Sequence, residues 1–232
     1  MAHFALVEKN KLAAAFAEVI KINNLVGNTT KPCKETLKHQ LDIIRSELDE
    51  LNEGYDAADN HEFVDGIGDV LFTLAGLYGR MGFTVPDRFN PVHSTDMREL
   101  LMLANRSFGG IEALSDVAFS SIYVAITALL QQTVEYIDEL ARLGGWDSFE
   151  ILNAVIAGNW TKFDRSESDA KLTALKYEAM GIAVEQKVQV IDGEDSYIVT
   201  YSAADQPDQK GKSMRKGKWL KSVKFQDTQF NL

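Results

Sequence analysis

Five acidic residues in the first third of the chain have the types and the spacing of a divalent-cation site. Glu47 and Glu50 form one group, and Glu62, Asp65 and Asp69 form a second group after a short polar break. Carboxylate oxygens, without cysteine or histidine among the ligands, suit Mg²⁺ or Mn²⁺. We therefore expect the two groups to lie on facing helices and to hold Mg²⁺ or Mn²⁺ between them.

The first group is notable because one of its members interrupts an apolar stripe. With successive residues about 100° apart around a helix axis, four apolar residues share one arc: Ile43, Ile44, Leu48 and Leu51. Glu47 falls inside that arc, and Glu50 lies on its edge. A carboxylate on a core-facing stripe costs roughly several kcal/mol unless a cation or hydrogen bonds compensate it. Glu47 is therefore the strongest single indication of a bound cation.

The second group follows one narrow stripe of the next helix. The stripe starts with Glu62, Asp65 and Asp69 and continues through Thr73, Gly76 and Arg80. Apolar residues cover much of the remaining circumference: Phe63, Val64, Ile67, Val70, Leu71, Leu74, Leu77 and Tyr78. A helix that is apolar on most sides is usually buried, so we expect this helix to be central. Like charges four residues apart repel, and a cation between the stripes would remove that repulsion.

The same five carboxylates can also form an ordinary solvated helix face, and this alternative stays open. Patterns for other chemistries are missing from the sequence: a P-loop, a Gly-x-Ser-x-Gly elbow, a cysteine pair for zinc, and the Glu-x-x-His of di-iron bundles. The sequence therefore gives no support to a serine or cysteine nucleophile.

Composition narrows the class of protein. The chain has 232 residues, of which 45% are hydrophobic, and a formal net charge of -10. The acidic excess argues against general binding to nucleic acid or to anionic membranes, and no apolar run approaches the roughly 20 residues of a membrane span. Cys33 is the only cysteine, which excludes an intrachain disulfide and favours a reducing, cytoplasmic location. Residues 1–11 lack a signal-peptide pattern.

Hydrophobic periodicity predicts a mainly α-helical fold. Helices are predicted over residues 3–26, 34–53, 62–82, 96–107, 111–143, 148–159 and 168–180. Gly54 is predicted to end the second helix, and Gly109 with Gly110 the fourth. The second and third helices should form an antiparallel hairpin that brings the two acidic stripes face to face.

The pattern changes from helix to strand after Ile182. Alternating apolar residues on either side of Asp192-Gly193 predict a β-hairpin, and residues 219–225 suggest a third strand. The only basic cluster of the chain lies here: Lys210, Lys212, Arg215, Lys216, Lys218, Lys221 and Lys224. It is either a solvated loop or a tail that folds over the acidic site and contacts phosphate. We divide the chain into a helical catalytic domain, residues 1–181, and a small β-rich basic tail, residues 182–232.

The acidic hairpin resembles the MazG superfamily of all-α nucleoside triphosphate pyrophosphohydrolases, which includes the phosphoribosyl-ATP pyrophosphohydrolases. Residues 46–50 resemble the Glu-x-x-Glu half of the family signature, and residues 69–72 followed by Gly76 resemble its second half. Residues 157–162 are similar to the Asn-x-x-Lys ending of a later helix, and residues 217–222 resemble the lysine-rich close of phage-type members. The resemblance covers roughly residues 4–84 and 148–225, and residues 85–147 look like a helical insertion.

The resemblance implies metal-dependent hydrolysis of a (deoxy)nucleoside triphosphate to the monophosphate and pyrophosphate. It suggests remodelling of a nucleotide pool in a phage-like context, in the host cytoplasm if the protein is viral. Mg²⁺ or Mn²⁺ would be held by Glu47, Glu50, Asp65 and Asp69, with Glu62 as a further ligand. One of the carboxylates would act as general base, with Glu47, Glu50 and Asp69 as the catalytic candidates. The nucleotide would contact Asn159, Lys162, Lys218 and Lys221.

Two further expectations concern the base and the assembly. The aromatic residues that could stack on a base are Phe16, Phe72, Tyr78 and Trp160, although each also suits the core. The apolar faces exceed what one hairpin can cover, so we expect a homodimer or homotetramer.

The chain departs from the family signature at one position. The signature has a glutamate three residues before its aspartate, where this chain has Gly66. Asp65 or Glu62 would have to replace it, and Asp65 stays beside Asp69 on the helix. This departure keeps two other hypotheses open. One is a regulator that binds a nucleotide or a metal without turnover, and the other is a purely structural helical interaction protein.

Overall fold

The computed structural model describes residues 2–87, 89–116, 119–191, 195–208, 211 and 213–230. Within them the chain is mainly helical and contains a β-hairpin towards the C-terminus, as predicted, followed by a second, shorter two-stranded antiparallel sheet. The helices are α1 (Ala2–Leu25), α2 (Lys34–Asp56), α3 (Asn60–Met81), α4 (Met97–Leu114), α5 (Phe119–Leu143), α6 (Ser148–Trp160) and α7 (Glu167–Ala179). The strands are β1 (Val184–Ile191), β2 (Asp195–Ser202), β3 (Gln206–Pro207) and β4 (Ser213–Met214). No helix of this described part is long and apolar enough to cross a membrane.

Local capping explains where the central helices begin and end. The Asp59 carboxylate accepts hydrogen bonds from the first backbone N–H groups of α3, which would otherwise have no partner. Gly82 follows the last turn of α3 with φ of 66°, a left-handed conformation that glycine adopts at little cost. Asp96 caps α4 in the same way as Asp59 caps α3.

The chain divides into two compact units. The first contains residues 1–23, 28–156 and 230–232, and the second contains residues 24–27 and 157–229. The division falls within α6, so α7 belongs to the same unit as β1 and β2, against which it packs. The predicted limits of a catalytic domain, residues 1–181, remain a prediction about function.

Helix α3 is the centre of the first unit. The apolar residues predicted to surround it are all buried, which confirms its central position. Glycines let the neighbouring elements approach closely: a Cβ atom added to Gly68 would lie 2.5 Å from a Val155 methyl of α6, and one added to Gly79 would lie 2.9 Å from the Ile20 side chain of α1. Real Cβ atoms need more room, so these positions require glycine for packing.

The predicted insertion, residues 85–147, contains the α4 and α5 helices, which pack against each other. The Ser107 hydroxyl of α4 donates to the backbone oxygen of Leu129 of α5 over 2.9 Å. Helix α4 also contacts α2 through a two-pronged ion pair, in which Arg45 Nε and Nη2 donate to the Glu112 carboxylate over 3.1 and 2.6 Å. The insertion therefore braces the outer side of the helix that carries Glu47.

The second unit is built on the β1–β2 hairpin. The strands pair from Val184 opposite Ser202 to Ile191 opposite Asp195, and the predicted turn residues Asp192 and Gly193 lie outside the described residues. The prediction of a third strand over residues 219–225 was wrong. This segment makes only an isolated bridge from Trp219 to Tyr201, and it is held instead through side chains and single backbone contacts.

Two glycine predictions were also wrong. Gly54 lies inside α2, and Gly109 with Gly110 lies inside α4. Glycine lowers helix propensity by only about 1 kcal/mol, and tertiary packing can exceed that cost. At Gly54 the reason is visible, because an added Cβ atom would lie 2.9 Å from the backbone nitrogen of Phe63 in α3.

Candidate functional site

The α2–α3 hairpin places the predicted acidic residues on one short stretch of two adjacent helices. A Cβ atom added to Gly66 would lie 2.8 Å from the Leu51 α-carbon, and Gly54 lies against Phe63 as described above. These two close contacts set the antiparallel register. By that register Glu47 is level with Val70 and Glu50 with Ile67, so that the first acidic group lies alongside the turns that carry Asp65 and Asp69.

The five carboxylates differ in their exposure. Glu47, Asp65 and Asp69 are half-buried, whereas Glu50 and Glu62 are exposed. Glu62 lies in the first turn of α3, directly after the Asp59 cap, where a negative charge also favours the helix dipole. Among the residues described, no group of three or more acidic, histidine or cysteine side chains is gathered closely enough to hold a metal ion.

Gly66 is the position at which the chain departs from the MazG signature. Its α-carbon faces the backbone of Leu51, and the side chain of Leu51 would also lie 3.1 Å from an added Cβ atom. A glutamate at this position would have to separate α2 from α3. Packing of the hairpin therefore explains the glycine, and the acids that remain on the α3 stripe are Glu62, Asp65 and Asp69.

The stripe continues as a polar seam beyond the acids. The Thr73 hydroxyl donates to the backbone oxygen of Asp69 over 2.8 Å. One turn later, Gly76 leaves room for the amide groups of Asn23 and Gln40, each 3.4 Å from where a Cβ atom would stand. Arg80 is half-buried at the far end, where burial lowers the pKa of its guanidinium. Polar groups thus replace apolar packing along this whole face of α3.

The predicted Asn-x-x-Lys pair lies in the second unit, at the end of α6 and in the turn that follows. Asn159 is buried, with 6% of its surface exposed. The Lys162 ammonium donates to the Asn159 side-chain oxygen over 2.7 Å. It also lies 5.4 and 5.8 Å from the ring centres of Trp219 and Phe225, distances at which an ammonium is attracted to an aromatic face. The structure therefore brings the two residues of this motif together.

The C-terminal segment, residues 219–226, is hydrogen-bonded to the turn that follows α6. The backbone nitrogen of Ser222 donates to the Lys162 oxygen over 3.1 Å, and that of Gln226 donates to the Thr161 hydroxyl over 3.0 Å. The aromatic rings beside Lys162 belong to this segment. The segment thus packs against the turn and supports the Asn159–Lys162 pair.

The two lysines of the tail that were predicted to contact phosphate, Lys218 and Lys221, lie at the surface of the second unit. Lys218 is exposed. The Lys221 ammonium lies 3.8 Å from the Phe225 ring centre and 3.7 Å from a carboxylate oxygen of Asp227. Lys210 and Lys212 lie outside the described residues. The contact of these lysines with phosphate stays a prediction.

The sequence analysis missed a buried acid in the second unit. Asp164 has only 2% of its surface exposed, and its Oδ1 atom accepts hydrogen bonds from the hydroxyls of Ser222 and Thr173. Burial raises the pKa of this carboxyl, against the two hydroxyl bonds, which lower it. In the sequence, only the position of Asp164, two residues after Lys162, indicated that it could belong to a site. A single aspartate in a polar stretch cannot be distinguished from an ordinary loop residue.

The aromatic candidates separate into two kinds. Phe16, Phe72 and Tyr78 are buried in the core of the first unit. Trp160 is half-buried and lines a pocket in the second unit together with Phe163 and Asp164. Of the four aromatic residues proposed to stack on a base, Trp160 is therefore the one that lines this pocket.

Comparison of the chain with protein-family models, with curated proteins and with solved structures finds no match.

Proposed function

We propose that this protein hydrolyses a (deoxy)nucleoside triphosphate to the nucleoside monophosphate and pyrophosphate with the help of Mg²⁺ or Mn²⁺. The observation that carries the proposal is the α2–α3 hairpin, which aligns half-buried Glu47 with half-buried Asp65 and Asp69 on adjacent helices. The MazG-like character of this hairpin, and a role in remodelling a nucleotide pool in a phage-like context, are part of the same proposal.

The chemical type of these donors suits a hard divalent cation, and the proposal requires the described carboxylates to move closer together around the ion. All five candidate ligands are carboxylates, and three of them combine partial burial with some exposure to water. Glu47, Glu50, Asp65 and Asp69 would hold the ion, with Glu62 as a further ligand at the exposed end. A bound Mg²⁺ supplies neutralisation of phosphate charge and lowers the pKa of a coordinated water. Partial burial strengthens the attraction between the carboxylates and a cation relative to open water.

The chain's own residues have three tasks in this reaction. One carboxylate of the hairpin, from Glu47, Glu50 or Asp69, accepts the proton of the attacking water. The water oxygen forms a bond to the α-phosphorus, and the bond from that phosphorus to the bridging oxygen breaks, so that pyrophosphate leaves with the electron pair. Asn159, Lys162, Lys218 and Lys221 bind and orient the nucleotide, and Lys162 neutralises phosphate charge.

The proposal is tested by a product panel. The full chain is incubated with each dNTP and NTP and with Mg²⁺ or Mn²⁺, and the products are separated by ion exchange. We expect a monophosphate and pyrophosphate from one or a few nucleotides, and no product with EDTA. A diphosphate with orthophosphate would overturn attack at the α-phosphorus. No product from any nucleotide would overturn the hydrolase.

A second candidate function is a non-catalytic regulator that binds a nucleotide or a metal on the same helices. The observation that favours it is Gly66, because the hairpin cannot accept the acid that the MazG signature has at that position. The same panel separates the two functions when it is paired with thermal unfolding. A regulator is stabilised by a nucleotide with Mg²⁺ and releases no product.

A further inference from the structure

The second unit contains a pocket of about 390 Å³. Its lining includes Trp160, Phe163, Asp164, Arg165, Asp169 and Lys224, all of which belong to this unit. Pockets that hold small molecules and cofactors typically measure roughly 300–1,000 Å³. The pocket is therefore large enough for a heteroaromatic ring system.

One wall of the pocket is a supported aromatic surface. The rings of Trp160 and Tyr197 are stacked, with centres 5.1 Å apart and planes inclined by 28°. The Arg165 guanidinium lies 4.8 Å from the Tyr197 ring centre and donates to the Tyr197 hydroxyl over 2.6 Å. Tyr197 thus positions both residues, and a held aromatic ring is a stacking surface for any planar base.

The charges around the pocket are balanced. Arg165 and Lys224 contribute two positive charges, and Asp164 and Asp169 carry two acidic groups. The Lys224 ammonium lies 3.8 Å from the Asp169 carboxylate. A charge-balanced pocket does not favour a phosphate over water, so an uncharged polar ring suits it better than the anionic end of a nucleotide.

The most buried polar side chain in the lining is Asp164. The hydroxyls of Ser222 and Thr173 both donate to its Oδ1 atom, and its backbone exchanges two hydrogen bonds with Ile198. These bonds hold the carboxyl in one orientation. A carboxylate has acceptor positions on both oxygens, so its second oxygen can accept from a ligand while the first stays with the hydroxyls.

We infer that this pocket binds the base of a guanine nucleotide, with the ring against Trp160 and its donor edge at Asp164. Guanine presents two adjacent N–H donors, N1–H and the 2-amino group, which point in the same direction and can both donate to the one Asp164 oxygen that the hydroxyls leave available. Adenine and cytosine offer one amino group beside an acceptor, and the single ring N–H of thymine lies between two carbonyl oxygens. The choice of a nucleotide as ligand rests on the proposed function, whereas the choice of guanine rests on this pocket.

The test measures binding without turnover. The full chain in EDTA is titrated with dGMP, dIMP, dAMP, dCMP and dTMP in a calorimeter. Since dIMP differs from dGMP only by the missing 2-amino group, we expect dGMP to bind about 10-fold more tightly than dIMP, and dTMP to bind most weakly. Equal affinity for dGMP and dIMP would overturn the inference. Because no metal or cleavage is involved, failure of the hydrolase proposal leaves this result interpretable, and the reverse also holds.

Two matched variants test whether the preference for dGMP over dIMP comes from Asp164. Asp164→Asn keeps the size of the side chain and an oxygen for the two hydroxyls, and we expect it to remove the preference for dGMP over dIMP. Asp169→Asn changes the other acid of the same pocket and should preserve that preference. A folded Asp164→Asn protein that still prefers dGMP would overturn the assignment. If that variant does not fold, the comparison of dGMP with dIMP on the unaltered chain still decides.

The relation of this pocket to turnover is tested separately. If dGMP inhibits hydrolysis competitively and Asp164→Asn weakens that inhibition, the occupant is the base of the substrate. If it changes the rate without competing, the occupant is a second guanine nucleotide. Both results support a guanine site and differ only in the source of the guanine.

Discussion

The α2–α3 hairpin and the second unit use carboxylates in opposite ways. In the hairpin, Glu47, Asp65 and Asp69 are half-buried and lie along the seam between two helices. In the second unit, Asp164 is almost fully buried and is held by two hydroxyls. Partial exposure leaves the hairpin acids accessible to a cation from solvent, whereas the burial of Asp164 suits it to recognise a neutral group through hydrogen bonds.

The two regions also differ in how their geometry is maintained. The hairpin depends on close contact between helices at Gly54 and Gly66, where a side chain would collide with the facing backbone. The second unit depends on side-chain hydrogen bonds and aromatic contacts that connect the C-terminal segment to the turn after α6. Steric changes should therefore affect the hairpin most, and removal of single polar atoms should affect the second unit most.

The largest loss of stability is expected from a substitution that forces α2 and α3 apart. Gly66→Glu would introduce the acid that the MazG signature has at the matching position, but its Cβ atom would lie 2.8 Å from the Leu51 α-carbon. We expect a loss of about 3 kcal/mol or more in the free energy of unfolding, measured by urea denaturation. Gly109→Ala is the control, since no atom lies within 4 Å of a Cβ atom there, and alanine should stabilise α4 by about 0.5–1 kcal/mol. Equal stability of Gly66→Glu and the unaltered chain would show that the two helices can separate freely.

The next effect concerns the proposed activity. Glu47→Gln removes the charge of a half-buried carboxylate while keeping its size, and we expect kcat/KM of nucleotide hydrolysis to fall about 100-fold or more. The matched control is Glu53→Gln, which changes an exposed glutamate of the same helix and should keep activity within about twofold. Similar activity of both variants would remove the hairpin from the catalytic site.

A smaller effect is expected in the second unit. Ser222→Ala removes a hydroxyl that donates to the buried Asp164 carboxyl, and loss of such a partner typically costs about 1–3 kcal/mol. Ser168→Ala, at an exposed position of α7, should change the free energy of unfolding by less than about 0.5 kcal/mol. Urea denaturation followed by tryptophan fluorescence reports both. Identical losses in the two serine variants would contradict a role for Asp164 in holding the segment.

The smallest effect is a change in the pH dependence of stability. Burial raises the folded-state pKa of Asp164 above its ordinary value of 3.8, while its hydroxyl partners oppose the shift and Asp169 adds to it. The folded chain then binds this proton more tightly than the unfolded chain, so the stabilisation is complete below pH 3.8 and is lost as pH rises through the folded-state pKa.

Thermal unfolding across this range measures the effect. Asp164→Asn cannot titrate, so the melting temperature of the unaltered chain minus that of the variant should decrease as pH rises from about 3 to about 7. Arg165, Lys224 and Asp169 line the same pocket and are present in both proteins, so their titration largely cancels in the difference. A difference that is constant with pH would contradict the raised pKa.

The sequence was most informative where periodicity and capping agree. The α3 helix was predicted over residues 62–82 and lies at Asn60–Met81, because its apolar circumference and its terminal Gly82 both indicate a buried helix. The prediction at Gly54 failed because the close contact with Phe63 requires a glycine inside the helix. The prediction at Gly109 failed because the cost of one glycine in a helix, about 1 kcal/mol, did not end α4. The prediction of a third strand failed because residues 219–225 include strand-forming residues but are hydrogen-bonded through the Ser222 backbone to the turn after α6.

The candidate site was likewise only partly accessible from the sequence. The acidic stripes and the Asn159–Lys162 pair are local patterns, since residues three and four apart share a helix face or a turn, and the sequence alone determined them. The depth of each carboxylate, the need for glycine at position 66 and the pocket around Asp164 depend on which segments pack together. Leu51 meets Gly66, and Ser222 meets Asp164, across 15 and 58 residues of chain. Only the tertiary structure decides such contacts, because they arise from packing between elements and not from the propensity of either one.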